Sequence, residues 1–417
     1  MNPVASEAKK NNMKRILQYI VDHDGATRIN IAQQLGLSVG TVTNNINDLM
    51  ELRLVSMGNK ISGNLGRKAT VLEFAGEGKY IVVVSMYIQY LLLTVVDFNG
   101  CIIRETQKCQ FGSSECEEGE TIRQKFTDII SGYIDNLEGE IRRQIEYMAI
   151  AVTGFVSRDD KVYASWYHWY NIPILDELKE RYHFRIYGDN VTKFKACQEF
   201  SMVGEDMKNV IYLYIGVGVA CVQFFDGKVI EGKNRAGGEI GHICLDPCGE
   251  KCHCGNSGCV ERFCGENYIL EDAKRFLRGK DKCEVLEHLV TELGMPLTVE
   301  TLLKAEELGS AKVHSLFMRT AQYIGKTLAV IFNIFDPDCV ILSGKLVEKS
   351  DFVYEKALRE MKANIVNVGA RDIYVKQAKV REEDLVSAIF HYTLKRYIKE
   401  LDFEEFSVRN HFARDGE

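Results

Sequence analysis

Two adjoining stretches decide how this chain is organised: Gly238-Glu239-Ile240-Gly241-His242 and Cys252-His253-Cys254-Gly255-Asn256-Ser257-Gly258-Cys259-Val260-Glu261. The second contains three cysteines in a C-x-C-x4-C spacing, and His242 lies ten residues before the first of them. Thiolates and a neutral imidazole are the ligands that tetrahedral Zn²⁺ prefers, and loop glycines let all four side chains face one point. The pattern predicts a structural metal site without an open coordination position. Buried cysteines that bind no metal are the alternative.

Together, the motifs G-E-x-G-H and C-x-C-G-x-x-G-C-x-E resemble the signature of the ROK family (repressors, open reading frames and sugar kinases). The resemblance extends from about residue 12 to near residue 400. It implies an α/β protein in which an N-terminal winged helix-turn-helix is followed by a two-lobed actin-like (RNase H-like) sugar-kinase fold. It implies that Glu239, His242 and Glu261 face a sugar's hydroxyl groups. The Zn²⁺ ligands that it implies are His242, Cys252, Cys254 and Cys259.

The expected domains are a DNA-binding domain over residues 1–76 and a sugar-kinase-like domain over residues 79–417. Within the second domain, the smaller lobe is expected to span about 79–200 and to include the C-terminal helix. The larger lobe is expected to span about 201–385, with the zinc segment at 242–261.

Composition is that of a soluble globular chain: 417 residues, 46% apolar and 27% charged, with room for two or three domains. Thirteen cysteines without a signal peptide indicate a reducing, cytoplasmic location, where clustered cysteines more often bind metal than form disulfides. The longest apolar run, residues 80–96, contains Ser85, Gln89 and Thr94 and is short for a membrane span. It predicts two buried strands and no membrane association.

Charge is distributed unevenly along the chain. Residues 1–75 hold nine Lys/Arg and six Asp/Glu, a net +3, whereas the whole chain carries −7, so the remainder carries −10. A basic module on an acidic body favours a DNA-binding head with which the body does not compete.

The first 50 residues have the spacing of three short helices. Apolar residues recur at helical spacing over residues 13–21. Thr27 can cap a second helix that Gly36 ends, and Ser38 can cap a third. The third helix carries an apolar stripe of Val42, Ile46 and Leu49. This arrangement predicts a helix-turn-helix, and a plain three-helix bundle is the alternative.

A β-hairpin wing is expected after these helices. Leu54-Val55 form its first strand, residues 58–66 a glycine-rich tip, and residues 68–74 the return strand. Gly66-Arg67-Lys68 resembles the family's wing, whose G-R pair approaches the minor groove of DNA. A guanidinium there gains from the negative potential of a narrow A·T-rich groove.

The third helix is expected to present polar residues to DNA. Ser38, Gly40, Thr43, Asn44 and Asn47 lie on its outward face, without an arginine. Asn can bond adenine N6 and N7 bidentately, whereas the commonest guanine contact needs Arg or Lys. We therefore expect an A·T-leaning, pseudo-palindromic operator bound by a homodimer or homotetramer. A merely solvated polar face is the alternative for each residue.

Three segments that match the family's nucleotide-binding elements have diverged. The family's D-x-G-x-T is Ser85-Met86-Tyr87-Ile88-Gln89 here, its G-T-G-x-G is Gly216-Val217-Gly218-Val219-Ala220, and its G-G-G is Ser343-Gly344-Lys345. Tyr87 is bulky where a phosphate needs close approach of the backbone. Because three separate elements have changed, we expect that ATP is not bound and that the chain is not an enzyme.

The sugar-binding side is better preserved. Residues 169–173 resemble the family's W-x-x-v-P loop, which implies that Trp169 lies against a sugar. The family's catalytic aspartate follows a strand, and here Gly188-Asp189-Asn190 follow the expected strand 184–187. Strand alternation puts Asp189 in the aspartate position, and a one-residue slip would put Asn190 there. A simple turn residue is the alternative for Asp189.

The sequence thus predicts a sugar-responsive transcriptional regulator of repressor type. Two rival functions stay open. One is an active, ATP-dependent ROK-type sugar kinase with an added head, and the other is a regulator that responds to a partner protein.

Overall fold

The computed structural model describes residues 7–62, 68–111, 119–167, 169–204, 206–278 and 282–403. These residues form two compact units. The first contains 7–151, 177–187 and 386–403, and the second contains 152–176 and 188–385. Compactness therefore groups the helix-turn-helix with the first lobe and assigns residues 152–176 and 188–200 to the second unit. The domain limits expected from the sequence stay a prediction.

The N-terminal segment contains α1 (Glu7–Asp22), α2 (Arg28–Leu35), α3 (Val39–Glu51), β1 (Val55–Ser62) and β2 (Lys68–Phe74). The expected caps are present. The Thr27 hydroxyl accepts from the Asn30 N–H at 3.3 Å, and the Ser38 hydroxyl accepts from the Thr41 N–H at 3.0 Å. Gly36 ends α2 with a left-handed φ of 65°. The predicted helix-turn-helix is confirmed.

The wing's first strand is longer than predicted. Strand β1 pairs antiparallel with β2 and continues to Ser62, through residues that the sequence assigned to the tip. Gly58 signalled a turn in the sequence, but it lies in a β-bulge between Met57 and Lys60. A bulge absorbs the glycine without ending the strand.

Groups of strands and groups of helices then follow one another to the end of the described chain. The remaining strands are β3 (Tyr80–Met86), β4 (Tyr90–Asp97), β5 (Ile102–Gln110), β6 (Ile145–Val152), β7 (Phe155–Val156), β8 (Val162–Ala164), β9 (Trp169–Ile172), β10 (Arg185–Asn190), β11 (Val210–Ile215), β12 (Val219–Phe225), β13 (Lys228–Val229), β14 (Cys339–Ser343) and β15 (Val375–Gln377). The remaining helices are α4 (Gly119–Asp135), α5 (Gly139–Arg143), α6 (Ile174–Arg181), α7 (Val191–Ser201), α8 (Val260–Cys264), α9 (Glu266–Arg275), α10 (Glu284–Glu287), α11 (Val299–Glu307), α12 (Ala311–Phe335), α13 (Lys345–Lys349), α14 (Asp351–Asn364) and α15 (Leu385–Glu400).

Two five-stranded sheets share one strand order. The first runs β10-β6-β3-β4-β5 and the second runs β13-β12-β11-β14-β15. In each, three successive strands form a meander, and the fourth strand pairs parallel with the first. This repeated topology confirms the predicted two-lobed sugar-kinase fold. A smaller sheet, β7-β8-β9, belongs to the second unit.

Each unit has its own apolar core. Strand β3 is buried on both faces from Ile81 to Met86, as its continuous apolar sequence predicts. In the second unit, the 25-residue helix α12 packs along α14 and α8. The core positions that the sequence predicted on α12 are buried: Val313, Phe317, Ile324, Leu328 and Ile331.

Helix α15 connects parts of the first unit that are distant in sequence. It buries Ala388, Ile389 and Leu394 as predicted. The Lys14 ammonium group of α1 donates to the carbonyl oxygen of Lys399 at 2.8 Å, and Lys395 pairs with Asp22 at 2.9 Å. The last helix therefore contacts the helix-turn-helix directly. Among the helices of the described residues, none is long and apolar enough to cross a membrane.

Candidate functional site

Glycines hold the cysteine-rich loop, residues 242–259, against the second sheet. Gly238 has a φ of 98°, and a Cβ there would lie 2.0 Å from the carbonyl oxygen of Cys221 on β12. Gly258 has a φ of 66°, and its Cβ would lie 1.6 Å from the carbonyl oxygen of Asp246. Only glycine fits these two places. The loop is therefore folded tightly between a short 3-10 helix, Ile240–His242, and α8.

Four donor side chains converge within this loop. The donor atoms of His242, Cys252, Cys254 and Cys259 all lie within 4.8 Å of one another. The Sγ atoms of Cys254 and Cys259 are 3.7 Å apart, and Cys252 Sγ lies 3.8 Å from His242 Nδ1. Tetrahedral Zn²⁺ with bonds of about 2.3 Å to sulfur requires donor separations of roughly 3.8 Å. The predicted ligand set is thus brought together with spacing that fits a metal ion.

Two thiols of the cluster have pKa values shifted in opposite directions. Burial of Cys252 opposes ionisation, but hydrogen bonds from His242 and His253 lower the pKa of this thiol well below its usual value. Burial raises the pKa of Cys259, and the neighbouring Cys254 raises it further. A dication would relieve the repulsion between these thiolates. Glu239 Oε2 lies 3.9 Å from Nε2 of His242, where a carboxylate orients a ligating imidazole.

His253 belongs to this site although the sequence prediction left it out. Its Nδ1 lies 3.1 Å from Glu261 Oε1, and its Nε2 lies 3.1 Å from the Ser165 hydroxyl. Its backbone N–H donates to the Tyr268 hydroxyl at 2.7 Å. Hydrogen bonding to Cys252, and then to Glu261, raises the pKa of His253 to about 10. Its position between two ligands, C-H-C, was the available sequence signal.

Glu261 is a buried residue that contacts strand β12. It is 4% exposed, and its Oε2 accepts from the Val219 N–H at 2.8 Å. A Cβ on Gly218 would lie 3.1 Å from that oxygen, so the glycine leaves room for the carboxylate. Glu261 thus ties α8 to the start of β12. Glu239 is more accessible, with a side chain 49% exposed.

Asp189 lies in a buried ion-pair network. One of its carboxylate oxygens is 2.7 Å from the Lys193 ammonium group and 2.9 Å from the Arg235 guanidinium. Lys193 also pairs with Glu231, and Arg235 lies 3.5 Å from Glu231. Lys193 follows Asp189 by four residues along the start of α7, a spacing visible in the sequence. Arg235 comes from the loop 230–239, where no sequence pattern marks it.

Asn190 has a different role from Asp189. It caps α7, since its side-chain oxygen accepts from the Thr192 N–H at 2.7 Å. Its side-chain amide donates to the Gly154 carbonyl oxygen. Asp189, Asn190 and Glu239 line one cavity of about 50 Å³, together with Arg235 and Glu231. That space has room for only a few water molecules and is well below the roughly 300 Å³ at which ligand pockets begin.

Trp169 is not among the residues that line this cavity. It is fully buried in β9, and its ring packs 5.1 Å from that of Tyr167. Sugar contact by Trp169 stays a prediction. The neighbouring Tyr170 is 63% exposed.

The segments that were expected to correspond to the family's nucleotide-binding elements make contacts of their own. Tyr87 stacks on Tyr90 at 4.6 Å in the first hairpin. In the second unit, Glu348 accepts from the Gly344 N–H at 2.9 Å, which occupies a donor at the start of α13. The Glu266 N–H donates to the Gly216 carbonyl oxygen at 2.7 Å. Burial raises the pKa of Glu266 to about 7, a rise that Lys345 opposes and Glu300, Glu382 and Glu348 increase.

The outward face of α3 is polar and accessible. Ser38, Gly40, Asn44 and Asn47 are exposed and Thr43 is half-buried, while Val42, Asn45, Ile46 and Leu49 form the buried face. Gly66 and Arg67 lie outside the described residues. Lys68 begins β2, and its side chain also lies outside the description. The structure therefore brings the helical half of the predicted DNA-binding residues onto one surface.

Comparison with known families matches both the N-terminal helix-turn-helix and the sugar-kinase-like fold that follows it. A model of the ROK family matches residues 89–389, which is more than half of the chain. The chain belongs to the ROK family. A winged helix-turn-helix DNA-binding model matches residues 10–55 of this ROK protein.

Curated relatives of this ROK protein include two named regulators. It is 24% identical to the xylose repressor of Bacillus subtilis over 86% of this chain and 88% of that protein. It is 23% identical to the DNA-binding transcriptional dual regulator NagC of Escherichia coli, over 82% of each chain.

Solved structures share the fold. A ROK family transcriptional regulator, a homologue of the Escherichia coli MLC protein, superposes with a TM-score of 0.72 at 19% identity, covering 94% of this chain and 98% of that one. A ROK family glucokinase from Streptomyces griseus superposes with a TM-score of 0.61 at 20% identity, covering 76% of this chain and 99% of the glucokinase.

Proposed function

We propose that this ROK-family protein is a sugar-responsive transcriptional regulator of repressor type. Its winged helix-turn-helix binds operator DNA, and its second unit senses a sugar or sugar derivative. Two observations on one chain carry the proposal. Helix α3 is capped and exposes a polar face, and Asp189 of the sugar-kinase-like body forms ion pairs with Lys193 and Arg235. The names of the xylose repressor and NagC support it.

The ion pairs of Asp189 argue against the rival kinase function. A general base needs a carboxylate oxygen within hydrogen-bond reach of the sugar hydroxyl. Lys193 and Arg235 engage Asp189 at 2.7 and 2.9 Å. In addition, the Glu348 carboxylate accepts from the Gly344 N–H, beside a segment that would meet ATP phosphates, and like charges repel there. We infer that the body binds a sugar without phosphorylating it.

We place the effector around Asp189, Asn190 and Glu239, the polar side chains that line one cavity. Because that cavity is small, a sugar must displace the Arg235–Glu231 contact to enter. Carboxylates that accept from sugar hydroxyls would replace the lost ion pair. The family resemblance also assigns Trp169, His242 and Glu261 to the sugar. We propose that these residues hold the cavity-lining side chains in position.

We propose that the four-donor cluster binds one Zn²⁺ with a structural role. The donor spacing and the favoured thiolate at Cys252 support this assignment. With all four positions held by His242, Cys252, Cys254 and Cys259, the ion would stabilise the loop without activating water. The loop carries Glu239 three residues before the His242 ligand, so the cluster would fix the position of a sugar-binding carboxylate.

Effector binding would reach DNA through α15. In the first unit, the Tyr187 hydroxyl of β10 donates to the Tyr392 hydroxyl at 3.1 Å, and α15 contacts α1 through Lys395 and Lys399. The same strand β10 ends at Asp189 and Asn190. A ligand changes DNA affinity only if it binds one conformation better than another, and this strand and helix offer a physical link between the two sites.

The proposed DNA contacts are those that the sequence predicted: Ser38, Gly40, Thr43, Asn44, Asn47, Gly66, Arg67 and Lys68. A homodimer or homotetramer would bind an A·T-leaning pseudo-palindrome. The deciding experiment selects operators from random duplexes with the full chain and then screens free and phosphorylated sugars by thermal shift. A regulator that responds only to a protein partner would select an operator but gain no stability from any sugar.

A further inference from the structure

We infer that Val39 reads a thymine methyl group in the operator, and this rests on the proposed DNA-binding function. Val39 is the first residue of α3, and its side chain is 53% exposed. The other apolar residues of the first three turns, Val42, Ile46 and Leu49, are buried. An exposed β-branched side chain at the start of a recognition helix has no role in the core.

Val39 lies on the stripe of α3 that faces away from the core. Residues four apart follow one another along a helix surface, so Val39, Thr43 and Asn47 form one row. The Thr43 hydroxyl donates to the Val39 carbonyl oxygen at 2.8 Å. Around Gly40, the nearest atom to an added Cβ would be the Ser38 hydroxyl at 3.8 Å. The missing side chain at Gly40 leaves room for a base edge beside Val39.

The chemistry of the row matches an A·T pair. Helix α3 contains no Lys or Arg and carries Asp48 and Glu51 toward its end. Guanine, which is usually read by Arg or Lys, therefore has no cationic partner on this helix. Adenine can be read by an asparagine, and the thymine C5-methyl is the one apolar feature of a major-groove edge. Val39 supplies the apolar surface that this methyl requires.

The test replaces single thymines of the selected operator with deoxyuridine, which removes only the methyl group. The full chain should lose about fourfold in affinity at one thymine of a half-site, the change that corresponds to about 0.8 kcal/mol for one buried methyl group. For Val39→Ala, the same replacement should change the affinity by less than twofold. Ile29→Ala, which shortens another exposed apolar side chain of the head, is the matched control and should retain the fourfold loss.

Two outcomes would overturn the inference. Either no thymine replacement weakens binding, or the loss is equal in the wild-type and Val39→Ala chains. Both would leave the proposed DNA-binding function intact. If the full chain enriches no sequence at all from random duplexes, the proposed function itself fails, and the inference fails with it.

Discussion

Arg235 lies 2.9 Å from Asp189, and both side chains line the cavity that we assign to the effector. The family resemblance implies that Asp189 takes the position of the aspartate that, in a sugar kinase, removes a proton from the sugar. Here it neutralises a guanidinium and an ammonium group. We propose that this pairing keeps Asp189 from acting as a catalytic base, and that a ligand would have to compete with the ion pairs.

Catalysis gives the first prediction. The purified chain, incubated with ATP and a panel of sugars, should consume no ATP above background, because Asp189 is paired and the phosphate-binding segments have changed. A coupled assay measures this, with a ROK glucokinase as the positive control. Phosphorylated sugar formed by the wild-type chain and lost in Asp189→Asn would contradict the prediction.

Metal content gives the second prediction. One Zn²⁺ per chain is expected, bound by roughly 10–16 kcal/mol as in structural zinc peptides. Cys254→Ala should lose the metal and lower the Tm. Cys248→Ala is the matched control, because Cys248 is exposed in the same loop but lies outside the cluster. This variant should keep the metal and the wild-type Tm. Elemental analysis of protein purified without chelator decides, and absence of zinc from the wild-type chain refutes the assignment.

The raised pKa of Glu266 gives a pH dependence. Its folded pKa of about 7 exceeds the ordinary value of 4.5, so the folded state binds the proton more tightly than the unfolded state does. The tighter proton binding of Glu266 in the folded state adds to the free energy of unfolding. This addition is fully present below pH 4.5 and is lost as the pH rises through 7. Glu266→Gln should therefore raise the free energy of unfolding by about 1–2 kcal/mol at pH 8 and by less at pH 5.

Urea denaturation of the two chains at both pH values measures this difference. Glu271→Gln, an exposed residue of the same helix α9, is the control and should have the same small effect at pH 5 and pH 8. A gain in Glu266→Gln that does not grow with pH would show that folding does not raise the pKa of this carboxyl.

The wing gives a prediction from sequence alone. Arg67→Ala should cost on the order of 1–3 kcal/mol at A·T-rich half-sites and should reduce the salt dependence of binding by about one unit. Fluorescence anisotropy at several salt concentrations measures both. Unchanged operator affinity would remove the wing from the DNA interface.

Local patterns predicted the helix-turn-helix, the buried strands and the four clustered donor residues, whereas the two-lobed fold was implied by the family resemblance. Caps at Thr27 and Ser38, continuous apolar strands and the C-x-C-x4-C spacing need no knowledge of distant contacts. The length of β1 was predicted wrongly because a glycine in a bulge has the same local signal as one in a turn. Arg235 could not be found, since its contact with Asp189 spans 46 residues and depends on how a loop folds.

His253 illustrates a second limit. Spacing predicted its neighbours as metal ligands but did not say which way the intervening imidazole points. The structure turns it toward Glu261 and Ser165 instead of leaving it in solvent. Similarly, the tight approach of Glu261 to the Val219 N–H follows from the absence of a side chain at Gly218, a long-range fit that no periodicity reveals.

The central claim is that one sugar-binding site controls DNA binding, and operator affinity with and without the sugar tests it most directly. We predict that the sugar that stabilises the full chain in the thermal-shift screen weakens operator binding at least fivefold, a coupling of about 1 kcal/mol. Glu239→Gln and Glu261→Gln should bind the operator normally but need about tenfold more sugar, since each loses a charge-assisted hydrogen bond or its support. Operator affinity that is unchanged at saturating sugar, in a chain that the sugar demonstrably stabilises, would contradict the account.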